Sequence, residues 1–229
     1  MQGAMWENLR CNPLVGLGIF AVAFIAISVE LEIIAQELGE QASGFSTVLV
    51  GAIFLTALMH WYVGLPTGNR TNGLALLTFT VLFVHLAAVG LALRFAHVRW
   101  PSGYALLLAP HAFGPMVLCM MAGRRFGLFA SVYVSLLGAT LVEDSSALPF
   151  VATGLGIGFM AVFASQRIRR RSSLLASGLY AGLVATAFMV FFGRFSIAQS
   201  GGHQLILLVL PLFVGLVTPT LVSFALPVL

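Results

Sequence analysis

Eight apolar runs, each close to 20 residues long and separated by short polar segments, dominate the sequence. A helix needs about 20 apolar residues to cross a hydrocarbon core about 30 Å thick, so each run predicts a membrane-spanning helix. The short alternating strands of a membrane β-barrel do not match these unbroken runs. The predicted spans are 13–29, 45–63, 73–93, 104–121, 126–142, 148–165, 174–193 and 205–229.

The composition supports a membrane bundle and excludes a water-soluble domain. Of the 229 residues, 60% are hydrophobic and 8% are charged, and the mean hydropathy is +1.04. Soluble domains carry about 25% charged residues, so this chain lacks the polar surface that a globule in water needs. We therefore expect an all-α integral membrane protein, a polytopic bundle of about eight transmembrane helices.

Arginine supplies all 11 basic side chains of the chain, whose net charge is +4. These arginines lie between the apolar runs, which is typical of membrane loops and argues against a nucleic-acid partner. If the amino terminus is cytoplasmic, eight arginines fall inside and three outside, in agreement with the positive-inside rule. Both termini are then cytoplasmic. The most basic inner loop, which contains Arg167, Arg169, Arg170 and Arg171, is expected to contact anionic lipid headgroups.

This orientation divides the chain into four parts. Residues 1–12 form a cytoplasmic amino-terminal segment, 13–33 the first transmembrane helix, 34–44 a short outer loop, and 45–229 a seven-helix domain. The last residues of the sequence still have the pattern of a helix, and no polar tail follows them. We therefore expect the chain to be cut or shortened at this point.

Two histidines within the spans form the candidate intramembrane polar site. His85 lies near the middle of the third span and His111 near the middle of the fourth, and these spans are expected to be antiparallel neighbours. Polar groups in hydrocarbon are costly and usually face the bundle interior, so the pair could line a ligand pocket or sense protons near neutral pH. The alternative is that each imidazole is a neutral packing element with its own hydrogen bond.

Prolines inside the spans are candidate helix pivots. Pro110 and Pro115 bracket His111, and Pro211 and Pro219 lie in the last span. Each is expected to remove an intrahelical hydrogen bond and to bend its helix, which neighbouring helices can compensate in a membrane bundle. Such bends would suit a signal-transmitting protein, but they also occur in static packing.

The remaining motifs favour packing over chemistry. The glycines at 154, 156 and 158 lie in an apolar span with no preceding strand, so close helix packing explains them better than a nucleotide site. Gly178 and Gly182 form a small-residue pair that could serve packing within the chain or contact in a homo-oligomer. Two isolated cysteines give neither a disulfide framework nor a metal-binding spacing, and we expect no metal or other cofactor.

Several stretches of the chain resemble the seven-transmembrane HD phosphohydrolase family. Residues 104–110 and 121–125 are similar to the middle of its membrane domain, and residues 166–179 to its arginine-rich inner loop and the following helix. The last four residues, 226–229, resemble the end of its final helix. The resemblance covers roughly residues 64–229.

This resemblance implies an amino-terminal helix, a large extracellular domain, seven helices and a cytoplasmic HD domain, and characterised members hydrolyse cyclic di-AMP. The predicted one-plus-seven helices and the cytoplasmic exit agree with that plan. The chain departs from it because only residues 30–43 stand where the family has its extracellular domain, and because the sequence contains no HD domain. The metal ligands of the family therefore have no counterparts here, and we expect no catalysis by this chain.

Two functions follow from these observations. The first is a membrane sensor and anchor that relays a signal to the catalytic domain of an HD-type cyclic dinucleotide phosphodiesterase in a bacterial cytoplasmic membrane. The second is a component of a small-molecule transporter, with His85 and His111 at its substrate site. A transporter of this kind would have charged residues within its spans, and of the residues that could carry a charge there only histidines are found, which argues against ion-coupled transport.

Overall fold

The computed structural model describes residues 12–38, 44–59, 61, 71–99, 105–142, 144–165, 171–192 and 202–225, which form helices and the turns that join them. The helices are α1 (Pro13–Leu38), α2 (Gly44–Met59), α3 (Asn72–Arg99), α4 (Ala105–Leu108), α5 (Phe113–Ala122), α6 (Arg124–Ala139), α7 (Asp144–Ser165), α8 (Arg171–Phe191) and α9 (Gly202–Ala225). The short α4 and α5 together occupy the fourth predicted span. The all-helical membrane fold predicted from the apolar runs is confirmed.

Four helical stretches of the described residues are long and apolar enough to cross a membrane. They are Pro13–Leu38, Asn72–Ala96, Ser146–Ser165 and Leu174–Phe191. Shorter apolar stretches lie at Leu49–Met59, Phe113–Ala122 and Val209–Phe224, and α6 occupies the remaining predicted span. The order of the helices therefore follows the order of the apolar runs.

The first helix is longer than the sequence predicts. We expected it to end at residue 33 and a loop to cover 34–44, but α1 continues to Leu38. Hydropathy drops at the glutamates in this part, whereas glutamate is a good helix former, so the helix continues where the apolar run stops. Glu32 supports this last part because its carboxylate accepts a hydrogen bond of 3.0 Å from Gln36 one turn later.

The chain divides into two compact units, Met1–Phe83 and Val84–Leu229, and α3 contributes residues to both. The core of the first unit is aromatic. The Phe79 ring meets the Phe20 ring edge-on at a centroid distance of 4.7 Å and stacks on the Phe54 ring at 5.5 Å. Trp61 adds a further edge-on contact with Phe20. These rings hold α1, α2 and the first half of α3 together.

The second unit consists of helices that pack in sequence order. α5 contacts α6, α6 contacts α7, α7 contacts α8, and α8 contacts α9. Gly123 alone joins α5 to α6, with a φ of 96°, and this left-handed conformation is one that glycine adopts readily. The connection between these two helices is therefore a sharp turn and not a loop.

The basic loop falls largely outside the described residues, which exclude Arg167, Arg169 and Arg170. Arg171 is the first residue of α8. The predicted contact of this loop with anionic headgroups therefore stays a prediction.

Candidate functional site

The fourth span is discontinuous, and its interruption is the centre of the candidate site. Helix α4 ends at Leu108, α5 starts at Phe113, and the four residues between them, 109–112, are not helical. Pro110 has no N–H for a helix, and proline also disfavours the helical conformation of the residue before it. Instead, the His111 N–H donates to the Ala109 carbonyl at 2.8 Å and the Phe113 N–H to the Pro110 carbonyl at 2.9 Å. The predicted continuous span 104–121 is therefore wrong at this point, which we call the break.

The two prolines next to His111 have different local roles. Pro110 lies within the break, whereas Pro115 is the third residue of α5. The first-turn N–H groups of a helix have no partner within that helix, so proline at this position removes no intrahelical hydrogen bond. The expectation that Pro115 bends a helix is therefore wrong. That either proline acts as a pivot stays a prediction.

His85 stabilises the start of α5 from a different helix. It projects from α3, is 0% exposed, and its Nδ1 accepts the N–H of Gly114 at 2.9 Å. Ala112, the residue that precedes α5, has no side-chain oxygen with which to cap the helix. The imidazole supplies the missing acceptor. Glycine at position 114 leaves room for this approach, since a Cβ there would lie 3.0 Å from Nδ1.

His111 lies in the break itself and is also buried. Its ring packs edge-on against Phe150 of α7, with the ring centroids 4.7 Å apart. Gly154, one turn further along α7, leaves room for the imidazole: a Cβ at this position would lie 3.1 Å from His111 Nδ1 and 2.5 Å from Ser135 Oγ of α6. The His111 side chain thus packs against α7, at the position where Gly154 faces Ser135 of α6.

The structure therefore brings both predicted histidines to the break. His85 accepts a hydrogen bond from the start of α5, and His111 is part of the break. Their joint action as a ligand or proton site stays a prediction. Gly114 and Gly154, on which both positions depend, were not identified as site residues from the sequence, where Gly154 was visible only as part of a glycine row.

Buried hydroxyls extend the polar surface of α6 towards the break. Ser131 and Ser135 are each 1% exposed. Ser131 Oγ donates to the Gly127 carbonyl at 2.9 Å, and Ser135 Oγ donates to the Ser131 carbonyl at 2.7 Å. Because their hydrogens are used within the helix, these hydroxyls offer only oxygen lone pairs to their surroundings.

The glycine row of α7 serves close packing, as predicted. Gly158 faces Ser131 of α6, whose Oγ would lie 2.7 Å from an added Cβ, and Gly156 faces the ring of Phe188 on α8. The nucleotide-binding interpretation of this row therefore has no support in the geometry, and the packing interpretation is confirmed.

The second glycine pair joins α8 to α9. A Cβ at Gly178 would overlap the Gly215 carbonyl oxygen and the Pro219 ring, and a Cβ at Gly182 would lie 2.9 Å from the Pro211 carbonyl oxygen. These glycines therefore serve packing within the chain. Pro219 lacks the N–H that would otherwise bond the Gly215 carbonyl, so the oxygen that lies against Gly178 is one that the proline has released from the helix.

Helix α9 connects this interface to the break. It contains Pro211 and Pro219, and it contacts α4 and α5 as well as α8. Pro149 inside α7 is a further internal proline that we did not single out from the sequence. The bending of α9 at its prolines as part of a signal stays a prediction.

Other features of the described residues lie apart from the break. No group of three or more His, Cys, Asp or Glu side chains in this part of the chain could hold a metal ion. An apolar groove of about 510 Å³ lies in the first unit between α1 and α3, and it contains neither histidine of the candidate site. In the second unit, the Arg124 guanidinium stacks over the Phe163 ring at 4.5 Å, which fixes an arginine at the start of α6.

Comparison with known protein families matches most of the chain. The family described as a seven-transmembrane receptor with an intracellular HD hydrolase matches residues 39–229, more than four-fifths of the chain. No curated protein and no solved structure matches the chain. The matched range begins directly after α1, and it corresponds to the membrane receptor part and not to the HD catalytic domain. The all-helical fold, the apolar spans and this match agree, and the chain belongs to the family of seven-transmembrane receptors with an intracellular HD hydrolase.

Proposed function

We propose that this chain is the membrane sensor of an HD-type cyclic dinucleotide phosphodiesterase of a bacterial cytoplasmic membrane, and that it responds to its signal at the break between α4 and α5. A receptor role in a multi-pass membrane protein follows from the family. The observation that carries the location is the hydrogen bond from Gly114 to His85, which ties α5 to α3 across the bundle.

The break is suited to a response because little local structure holds it. Helix α4 has only four residues, and a helix of this length is not stable by itself. The start of α5 depends on an acceptor from α3 and not on its own cap. A ligand that binds one arrangement of these segments better than another would shift the population between them.

Helix α9 offers the route from the break to the catalytic domain. It contacts α4, α5 and α8, and it is the last helix along the described part of the chain. With the orientation predicted from the arginines, α9 leads into the cytoplasm, where the HD hydrolase of this family lies. A displacement of α4 or α5 would change the surface against which α9 packs, and α9 would pass this change on.

The test uses the complete gene product in membranes, with hydrolysis of cyclic di-AMP as the readout. We expect an HD motif in the coding sequence that follows Leu229. His85→Phe should change the hydrolysis rate at an equal amount of inserted protein, whereas Val84→Leu, at the neighbouring lipid-facing position, should not. An unchanged rate in His85→Phe would refute the assignment of the break as the sensing site.

A transporter component is the second candidate, because broken spans with buried polar groups also form substrate sites in transporters. A stop codon directly after Leu229, next to transporter genes, would favour this alternative. Reconstituted vesicles that take up a substrate with the wild-type chain but not with His85→Phe would then establish the transporter function.

A further inference from the structure

The two nitrogens of the His85 ring have different roles. Nδ1 accepts the amide hydrogen of Gly114, and a nitrogen that accepts a hydrogen bond carries no proton. The neutral ring therefore holds its hydrogen on Nε2, which is a donor. Nε2 is buried and has no hydrogen-bond partner among the residues that the structure describes. A buried donor of this kind is exceptional in proteins and indicates that something else supplies the acceptor.

We propose that the Nε2–H of His85 binds the oxygen of an uncharged hydrogen-bond acceptor, supplied by a water molecule or by the carbonyl or hydroxyl group of an apolar molecule from the bilayer. This inference rests on the proposed function in that it takes the break as the sensing site. It adds the chemical class of what is sensed and the atom that contacts it.

An anion does not fit this position. Helix N-termini attract anions through free N–H groups, but the first turn of α5 has none to offer. Phe113 donates to the Pro110 carbonyl, Gly114 donates to His85, and Met116 donates to the Ala112 carbonyl. The remaining position of this turn is Pro115, which has no N–H. Of the donors in this first turn and in the His85 ring, the Nε2–H is therefore the one left for a ligand.

A cation does not fit either. The N-terminal end of α5 carries a partial positive charge, and a donor N–H faces the ligand, so both repel a cation. The molecule that supplies the acceptor oxygen must also be small, or must carry this oxygen at the tip of an apolar body, because the imidazole is fully buried. Val84, the preceding residue of α3, is 46% exposed, so the lipid-facing surface lies only one residue from His85. The inference therefore requires that an apolar molecule reach the ring from the Val84 side of α3.

The test is a proton–nitrogen correlation spectrum of the wild-type chain in lipid nanodiscs with isotope-labelled histidine, in which His85→Phe assigns the signal. We expect the Nε2–H tautomer at His85. Cyclohexanone should move the Nε2–H signal downfield, whereas cyclohexane, which has a similar shape but no oxygen, should not. A cross-peak from Nε2–H to water in the absence of cyclohexanone would identify water as the resident acceptor. Gly114→Ala, whose methyl group would meet Nδ1, should weaken the tautomer preference.

Each outcome is decisive. A cyclohexanone-specific shift supports a membrane-borne ligand, and a water cross-peak without that shift supports a bound water. A proton on Nδ1, or a response to neither acceptor, overturns the inference. If His85→Phe changes hydrolysis while the Nε2–H meets no acceptor, the inference fails and the proposed function stands. If the acceptor binds but hydrolysis does not change, the acceptor site is real and the proposed function fails.

Discussion

The contact between α8 and α9 allows a stability prediction that can be worked out from geometry. Gly178→Ala would place a methyl group onto the Gly215 carbonyl oxygen and the Pro219 ring. Neither obstacle can rotate away, because one is backbone and the other is a ring closed onto the backbone. Overpacking of a core typically costs 1–3 kcal/mol, and a rigid obstacle places this case near the upper end, at about 3 kcal/mol.

Part of this decrease in the free energy of unfolding is offset because alanine forms helices more readily than glycine. Replacing glycine in a helix interior gains about 1 kcal/mol, so the net destabilisation of Gly178→Ala is about 2 kcal/mol. For a chain of this size, each kcal/mol lowers the melting temperature by about 2–4 °C, so we expect a decrease of about 4–8 °C.

The assay is thermal unfolding in detergent micelles, followed by the loss of helical circular dichroism. Gly18→Ala in α1 is the matched control, because a Cβ at Gly18 would have no atom within 4 Å and should not destabilise the chain. A Gly178→Ala variant that melts at or above the wild-type temperature, beside a normal Gly18→Ala, would refute the argument that this contact requires glycine.

Four further predictions concern other parts of the chain. His85→Phe keeps a ring but leaves the first-turn amide of α5 without its acceptor, which should cost about 1–3 kcal/mol in the same assay. Glu30→Leu should raise stability by at least about 1 kcal/mol, because the Glu30 carboxylate is buried and neither oxygen has a hydrogen-bond partner among the described residues. Changing the three arginines at 169–171 to glutamine should weaken the preference of the reconstituted chain for anionic lipid, by about 1 kcal/mol for each charge removed. A reporter that is active only outside the cytoplasm, fused after Leu229, should give no signal.

These four predictions have clear contrary results. Wild-type stability in His85→Phe would mean that water or another group replaces the imidazole at no cost. A less stable Glu30→Leu would show that the carboxylate has a favourable partner. An arginine variant with unchanged lipid preference would show that the loop does not bind anionic headgroups. Strong reporter activity would show that the carboxyl end lies outside the cytoplasm.

The all-helical fold and the order of the helices could be predicted because the length of an apolar run reflects the thickness of the bilayer. The end of the first helix could not, since hydropathy falls at Glu30 while helix propensity does not. Pro110 and Pro115 looked equivalent in the sequence. Only Pro110 interrupts the span, because Pro115 lies in the first turn of α5, and the point where α5 begins is fixed by a contact with another helix.

The hydrogen bond between His85 and Gly114 could not be predicted from the sequence, because it also depends on how two helices pack. Helix α3 is apolar on all sides, so its sequence does not reveal which face meets α5. The similar depth of His85 and His111 on neighbouring spans was visible, and the structure brings both to the break. The glycines that admit them could not be assigned, because a glycine shows its partner only after the helices are packed.

The single-residue connection at Gly123 has a consequence for how the chain enters the membrane. With 10 residues, α5 is about 15 Å long, which is about half of the hydrocarbon thickness. By itself it is too short to cross the hydrocarbon core. Because Gly123 folds α6 directly back on α5, the two helices form a hairpin that can insert as one unit. Arg124 and Arg125 at its tip are exposed. With the orientation predicted from the arginines, these side chains resist translocation, and we expect this region to insert as a hairpin whose turn stays on the cytoplasmic side.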